Sequence, residues 1–444
     1  MKHLSLSALA AVGVLAGMTA ANAADLGGNC CADLEERIAE LEATTARKGN
    51  RKVSLTISGW VAQQVSVWDD GVRTKAYVSD IGATLSSNVK FTGSAQINSD
   101  WSAGYVLHLE SYSNDPLLHT NNNITVPNNG AIDANGASSV GVLQSFWFLK
   151  SNTLGKLSIG KQSSAVDNVA ILPDGSGSLV PANYVLFDNN SFGIRNSSGA
   201  LSGLNWGALA TCATTNARAG LAADCDGIPN NNIRYDTPVF GGFSASASWG
   251  ENDIWGVTGR YAGEHSGFKF STAIGYTEST DTLGQVGAFL GNTRWRAGAL
   301  QIGAYLENVP TGLFVYGAYG RDFNGTAQSN GLTIAQGRPD GDNYYIKAGI
   351  RQKWSPLGHT VLFGEYGDNS DKMDISLYTA GVTHSDMTQW GLGLVQEIDA
   401  AAMSMWFVYR NFSADATCTV AANCASYQGL QDLSVFKAGA LINF

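Results

Sequence analysis

The side chains that do covalent chemistry are few in this sequence and are not set out for it. His384-Ser385-Asp386 is the place where the three groups of a nucleophilic triad adjoin. Adjacency does not give the relay geometry a triad needs. No G-x-S-x-G, phosphate loop or H-E-x-x-H occurs. None of the six cysteines has zinc-site spacing with a histidine, so no metal or other cofactor is expected. Asp340-Gly341-Asp342-Asn343 offers oxygen ligands to a divalent cation, but such a run is far more often a turn. The residues do not read as those of an enzyme.

What remains is electrostatics. Charged residues make up 14% of the 444, with 37 acidic against 27 basic, a net charge of −10 and a pI near 5.0. No basic patch is present, which excludes nucleic acid as a partner. Sparse charges act on small ions only if they stand around a shared space, so the elements that place them decide their meaning.

Those elements are strands. From Lys52 the apolar period is two: Val53, Leu55, Ile57, Gly59 and Val61 alternate with Ser54, Thr56, Ser58, Trp60 and Ala62. The pattern recurs at Val89 to Ile97, at Tyr105 to Glu110 and at Met403 to Arg410. It ends on Phe436, Ala438, Ala440, Ile442 and a terminal Phe444 on one face. Mean hydropathy is −0.05, too polar for membrane helices, and no run of about 18 apolar residues follows Ala23. One oily and one wet face on every strand suits a transmembrane barrel.

The connections alternate between short and long. Short ones are Asn98 to Ser102, Asn152 to Gly155, Pro238 to Gly242, Gly263 to Gly267, Asn308 to Gly312, Ser355 to His359 and Asp399 to Ala401. Long ones are Asp69 to Tyr77, Ser113 to Ser139, Ser163 to Asn230, Thr277 to Thr293, Asp322 to Asp342, Asp368 to Asp386 and Ser413 to Gln431, with Glu251 to Ile254 completing the set. Together they predict an all-β fold: a transmembrane antiparallel β-barrel of about 16 strands, uncertain by two. In hydrocarbon each unpaired backbone group costs several kcal/mol, so only a closed sheet is stable. A barrel of that size holds an aqueous lumen.

Residues 1–23 read as a secretory signal, with Lys2, an apolar run and an Ala21-Asn22-Ala23 cleavage site. Residues 24–50 hold a short periplasmic helix. Leu34, Ile38, Leu41 and Thr45 form an a/d seam for a parallel coiled coil between subunits, or the apolar face of a lone helix lying on the barrel mouth. Export permits disulfides. Cys212 with Cys225, and Cys418 with Cys424, read as loop staples, the alternative being free thiols. Cys30 and Cys31 adjoin and favour pairing between subunits.

On these residues the chain resembles the general diffusion porins, most closely the alphaproteobacterial outer-membrane porin family. The resemblance rests on Cys30 to Ile38 running into Lys52 to Gly59, on Leu154 to Gln162, on Asn232 to Phe243 and on Phe444. It implies sixteen strands, a homotrimer in outer-membrane lipid, and a barrel over residues 51–444 narrowed by an inward-folded third loop, about 163–230. The acidic side of the constriction would come from Asp167, Asp174 and Asp188 on that loop. Strand parity places Lys90, Arg234, Arg260, Lys347, Arg351 and Arg410 on a basic inner wall, with His108 and Glu110 also inside. A one-residue slip would reverse any of these assignments.

The expected function is a passive, water-filled outer-membrane channel for small hydrophilic solutes and ions. The alternatives are a substrate-selective channel for sugars or anions, and a structural or adhesive barrel plugged by the Ser163 to Asn230 stretch.

Overall fold

The computed structural model describes residues 53–444, apart from 83, 112–114, 122–139, 187–188, 213, 215–223, 284–293, 330–331, 336–338, 375–376, 379 and 420–423. The signal segment, the helix at 33–48, Cys30, Cys31 and Asp188 therefore lie outside the described residues. No helix among the described residues is long and apolar enough to cross a membrane.

The strands are β1 (Ser54–Asp69), β2 (Thr74–Ser79), β3 (Asn88–Gln96), β4 (Trp101–Ser111), β5 (Val140–Ser151), β6 (Gly155–Gln162), β7 (Gly193–Arg195), β8 (Leu201–Asn205), β9 (Asn230–Asp236) and β10 (Phe243–Gly250). They continue as β11 (Ile254–His265), β12 (Phe268–Leu283), β13 (Arg294–Asn308), β14 (Leu313–Ser329), β15 (Leu332–Ala335), β16 (Gly341–Ser355), β17 (Gly358–Ser370), β18 (Val382–Ile398), β19 (Met403–Cys418) and β20 (Leu433–Asn443). All pairings are antiparallel. β1 meets β20 from Trp60↔Asn443 to Asp69↔Ser434, which closes the sheet. β2 and β3 share one wall position, because both pair with β1. β15 and β16 share another against β14. β7 and β8 form a separate ribbon. The wall is thus a closed barrel of sixteen strands.

Side-chain parity follows the sequence pattern. Val61, Ile233, Tyr235, Ile346, Leu392, Phe407, Phe436, Ile442 and Phe444 are exposed on the outside. An apolar side chain costs nothing there when the surroundings are lipid. The turns are tight where expected. At Gly312 φ is +69°, and a Cβ there would stand 2.0 Å from the Arg351 carbonyl oxygen. Only glycine fits so close a backbone approach.

The long connections are shorter than the sequence suggested. The first, expected over Asp69 to Tyr77, turns within Asp70–Arg73, where the Asp69 and Asp70 carboxylates accept from the Gly71, Val72 and Arg73 amides. β12 runs on to Leu283, β14 to Ser329 and β19 to Cys418. The residues of these extensions, such as Glu278, Asn324 and Asp415, are mostly polar in sequence. That removes the alternation on which a strand is recognised. One break was not foreseen: between β2 and β3, residues 80–82 and 84–87 leave the wall and fold inward. Polar side chains replace the lost ladder there, with Trp60 Nε1 donating to the Leu85 carbonyl (2.9 Å) and the Ala62 amide to Ser87 Oγ (3.0 Å).

Candidate functional site

The chain leaving β6 folds into the barrel because polar groups of the wall take up its backbone. Ser248 Oγ accepts from the Ala165 amide. Thr258 Oγ1 and Arg260 both donate to the Ala165 carbonyl, at 2.7 and 2.8 Å. Arg234 donates to the Ser163 and Ser164 carbonyls. Val166 and Val169 are then fully buried. They pack over Gly256 and Gly275, where an added Cβ would come within 2.8 and 2.7 Å of Val166.

The loop then crosses the inner face of β13 to β20. Tyr316 donates its hydroxyl to the Ala170 carbonyl at 2.6 Å. Lys347 Nζ stands 2.6 Å from Asp174 Oδ2 and 2.7 Å from the Ala182 carbonyl, and neither the Lys347 nor the Asp174 side chain is exposed. Lys437 reaches the Pro181 carbonyl and Arg410 the Asn183 carbonyl, both at 3.3 Å. Beyond Leu186 the segment builds an apolar cluster of its own, with Phe192, Ile194, Leu204 and Trp206 packed on Trp68, Phe412 and Leu433. The β7–β8 ribbon is latched to the first turn by Arg195, whose Nε lies 2.8 Å from Asp70 Oδ2. The return leg is held by the Cys212–Cys225 disulfide, beside a buried Lys372–Asp322 ion pair of 2.9 Å. The second foreseen disulfide, Cys418–Cys424, is also present.

The sequence-predicted residues fall as follows. Asp167 and Asp174 are on the folded-in loop, but both are buried in its contact with the wall. Lys347, Arg234, Arg260 and Arg410 point inward and are held by the loop. Arg410 also makes a buried pair with Glu365 (2.7 Å), and Arg234 pairs with Asp236 (2.8 Å). Arg351 pairs with Glu397 (2.8 Å) below the loop. Glu110 accepts from the Ser86 amide and so fastens the infolded segment. His108 and Lys90 face each other across β3 and β4.

Sequence reasoning did not single out Glu365, Glu397, Asp236, Lys372 or Lys437. Lys437 was legible, since it alternates with Phe436 and Ala438. The acidic partners were not, because a carboxylate on a wet face gives no sign of which arginine it meets.

Three loop carboxyls gather near Arg234 and Arg260. Burial pushes the Asp167 carboxyl up to about 7, with the Asp226 charge adding to it and Ser163, Arg234 and Arg260 opposing. Burial also raises Asp226 to about 6, opposed by the Thr277 hydroxyl beside it, and burial with Asp167 beside it lifts Asp224 well above the carboxylate range. A raised carboxyl favours the packed loop while it is protonated. That stabilisation is complete at about pH 4 and is lost as pH rises through 6 to 7. Single-channel conductance is expected to rise and become noisier from pH 5 to 8. Asp226→Asn should flatten the profile; a wild-type profile flat over that range would show that these groups do not govern the loop.

A closed sixteen-stranded sheet, oily outside and narrowed within by its own third loop, defines an outer-membrane channel. The chain matches the family described as Gram-negative porin over residues 6–400, and it belongs to that family. Its fold is similar to Salmonella typhi OmpF in complex with daunomycin, at 16% identity and a TM-score of 0.52, covering 89% of this chain and 99% of that one. It is similar to an anion-selective porin from Comamonas acidovorans at 16% identity, TM-score 0.51, covering 88% and 100%. The outer membrane channel DcaP of Acinetobacter baumannii aligns at 9% identity, TM-score 0.50, over 90% and 100%. No curated protein sequence matches the chain. The protein is a passive outer-membrane channel.

Proposed function

We propose that the protein is a general diffusion porin of the alphaproteobacterial type, with no enzymatic activity. It works as a homotrimer and passes small hydrophilic solutes and ions. It reaches the outer membrane by a signal cleaved after Ala23, and the helix at 33–48 joins the subunits. The observation that carries this reading is the uneven cover of the inner wall. The loop buries the inward faces of β13 to β19, whereas inward side chains of β3 to β5, such as Thr92, Ser94, Val106, Phe146 and Phe148, stay partly exposed. A strip of wall is left wet beside the loop. The apolar cluster around Trp206 favours a second reading, a plugged structural barrel. Planar-bilayer recording separates the two. Steady conductance, linear in salt and indifferent to added sugars, is the expected result; folded protein that carries no current would establish the plug.

A further inference from the structure

On the reading that the barrel conducts, we propose that Lys90 is the site at which this channel selects ions: an unpaired ammonium on the open strip of wall that binds small anions in transit.

Pairing within the wall and with the loop neutralises most of the charges that a field across the lumen would need. Asp174 is matched by Lys347, Glu365 by Arg410, Glu397 by Arg351, Asp236 by Arg234 and Asp70 by Arg195. Arg260 donates to a loop carbonyl and to the Ser246 hydroxyl, and Lys437 to a loop carbonyl. A paired, buried charge presents only a dipole to a passing ion. Lys90 differs. Its side chain makes no hydrogen bond and no salt bridge with any described residue, and it is half-buried in the wall facing the lumen.

Height matters as much as pairing. Lys90, His108, Lys347, Glu365, Arg410 and Lys437 all lie about seven residues, or roughly 23 Å of strand, from the short-turn ends of β3, β4, β16, β17, β19 and β20. Lys90 therefore stands at the level where the loop crosses, which is the narrow part of the path. Ser58 on β1 and His108 on β4 are its cross-strand neighbours, with Gln144 beyond His108 on β5. His108 Nε2 has no hydrogen-bond partner. Glu110, the nearest carboxylate along β4, is 1% exposed and engaged by the Ser86 amide. Apart from the enclosed Glu110, the neighbours of Lys90 are thus uncharged donors and acceptors. They suit an anion that sheds part of its water, such as chloride, inorganic phosphate or a small carboxylate.

The acidic outer mouth opposes this preference. Asp69, Asp340, Asp342 and Asp371 stand at or beyond the outer ends of their strands. The Debye length is about 10 Å at 0.1 M salt and about 3 Å at 1 M. The mouth charges are therefore screened from the narrow level in concentrated salt.

The test is the reversal potential of the full chain in planar bilayers under a tenfold KCl gradient around 1 M. The wild type is expected to favour chloride. Lys90→Met, at similar conductance, should lower the chloride-to-potassium permeability ratio several-fold, and Lys90→Arg should keep it. Added inorganic phosphate should reduce chloride current through the wild type and leave Lys90→Met unaffected. Thr92→Cys treated with a negatively charged thiol reagent should lose current beyond the baseline set by the unmodified chain, which carries Cys30 and Cys31. A conducting Lys90→Met channel with an unshifted reversal potential would overturn the inference and leave the porin reading standing. A wild type that carries no current would overturn both.

Discussion

Lys347→Met is expected to weaken the hold of the third loop on the barrel by about 3–5 kcal/mol, the usual cost of removing one partner of a buried ion pair. The Lys347 ammonium is enclosed by Asp174 and the Ala182 carbonyl and faces the rings of Tyr316 and Phe363 at 5.6 and 5.5 Å. Methionine fills the volume but leaves the Asp174 carboxylate out of water with the Ser176 amide as a remaining donor. The loop is then better placed off the wall, where that carboxylate can hydrate. The expected record is a larger, noisier single-channel current and faster cleavage of the loop by added protease. Adding Asp174→Asn should restore more than half of the loss, because the cost lies in the orphaned charge rather than in the missing attraction. Protease resistance and current unchanged in Lys347→Met would show that the loop does not depend on this pair.

Gly303→Val carries the second large effect, and its sign is informative. Valine suits a strand better than glycine on propensity alone, so an isolated wall strand would gain. Here a Cβ would stand 2.0 Å from the Ala170 carbonyl oxygen and 2.7 Å from its carbon. Both are backbone atoms that no side-chain rotation can move aside. The loop must shift at the point where Tyr316 holds it. Overpacking of this kind costs about 1–3 kcal/mol, and the Tyr316 bond is lost besides. Conductance is expected to change at least twofold, with the barrel itself still folded. Gly259→Val is the control. Its Cβ would meet only Ile274, at 3.9 Å, so stability within about 0.5 kcal/mol of wild type is expected. Equal behaviour of the two variants would remove the close approach of loop and wall as a determinant of the channel.

The barrel was legible because a membrane wall obeys a local rule. With lipid on one side and water on the other, residue parity is written directly into the alternation, and Phe436, Ile442 and Phe444 lie outside as their spacing predicted. The inward set was legible for the same reason. Lys90, Lys347 and Arg410 reach the interior by parity alone. Both local disulfides, Cys212–Cys225 and Cys418–Cys424, followed from spacing within short polar stretches. The strand extensions past Thr277, Asp322 and Ser413 were missed, since their mostly polar residues break the apolar period. The inward fold of residues 80–82 and 84–87 was missed because side chains such as Ser87 substitute for the ladder without any break in composition.

The sequence by itself determined the character of the wall: an antiparallel barrel of about sixteen strands, the face most strand residues take, and that the stretch after Gln162 is too long to be a simple turn. Only the tertiary structure decided which charges remain available to an ion. Asp174 and Lys347 are separated by 173 residues yet share one buried contact, while Lys90, the same residue type as Lys347 and reached by the same parity, makes no ion pair with any described carboxylate. The physical reason is that pairing depends on where a long loop comes to rest across a curved sheet. That resting place is set by many backbone contacts between residues far apart in the chain, and no local pattern encodes them.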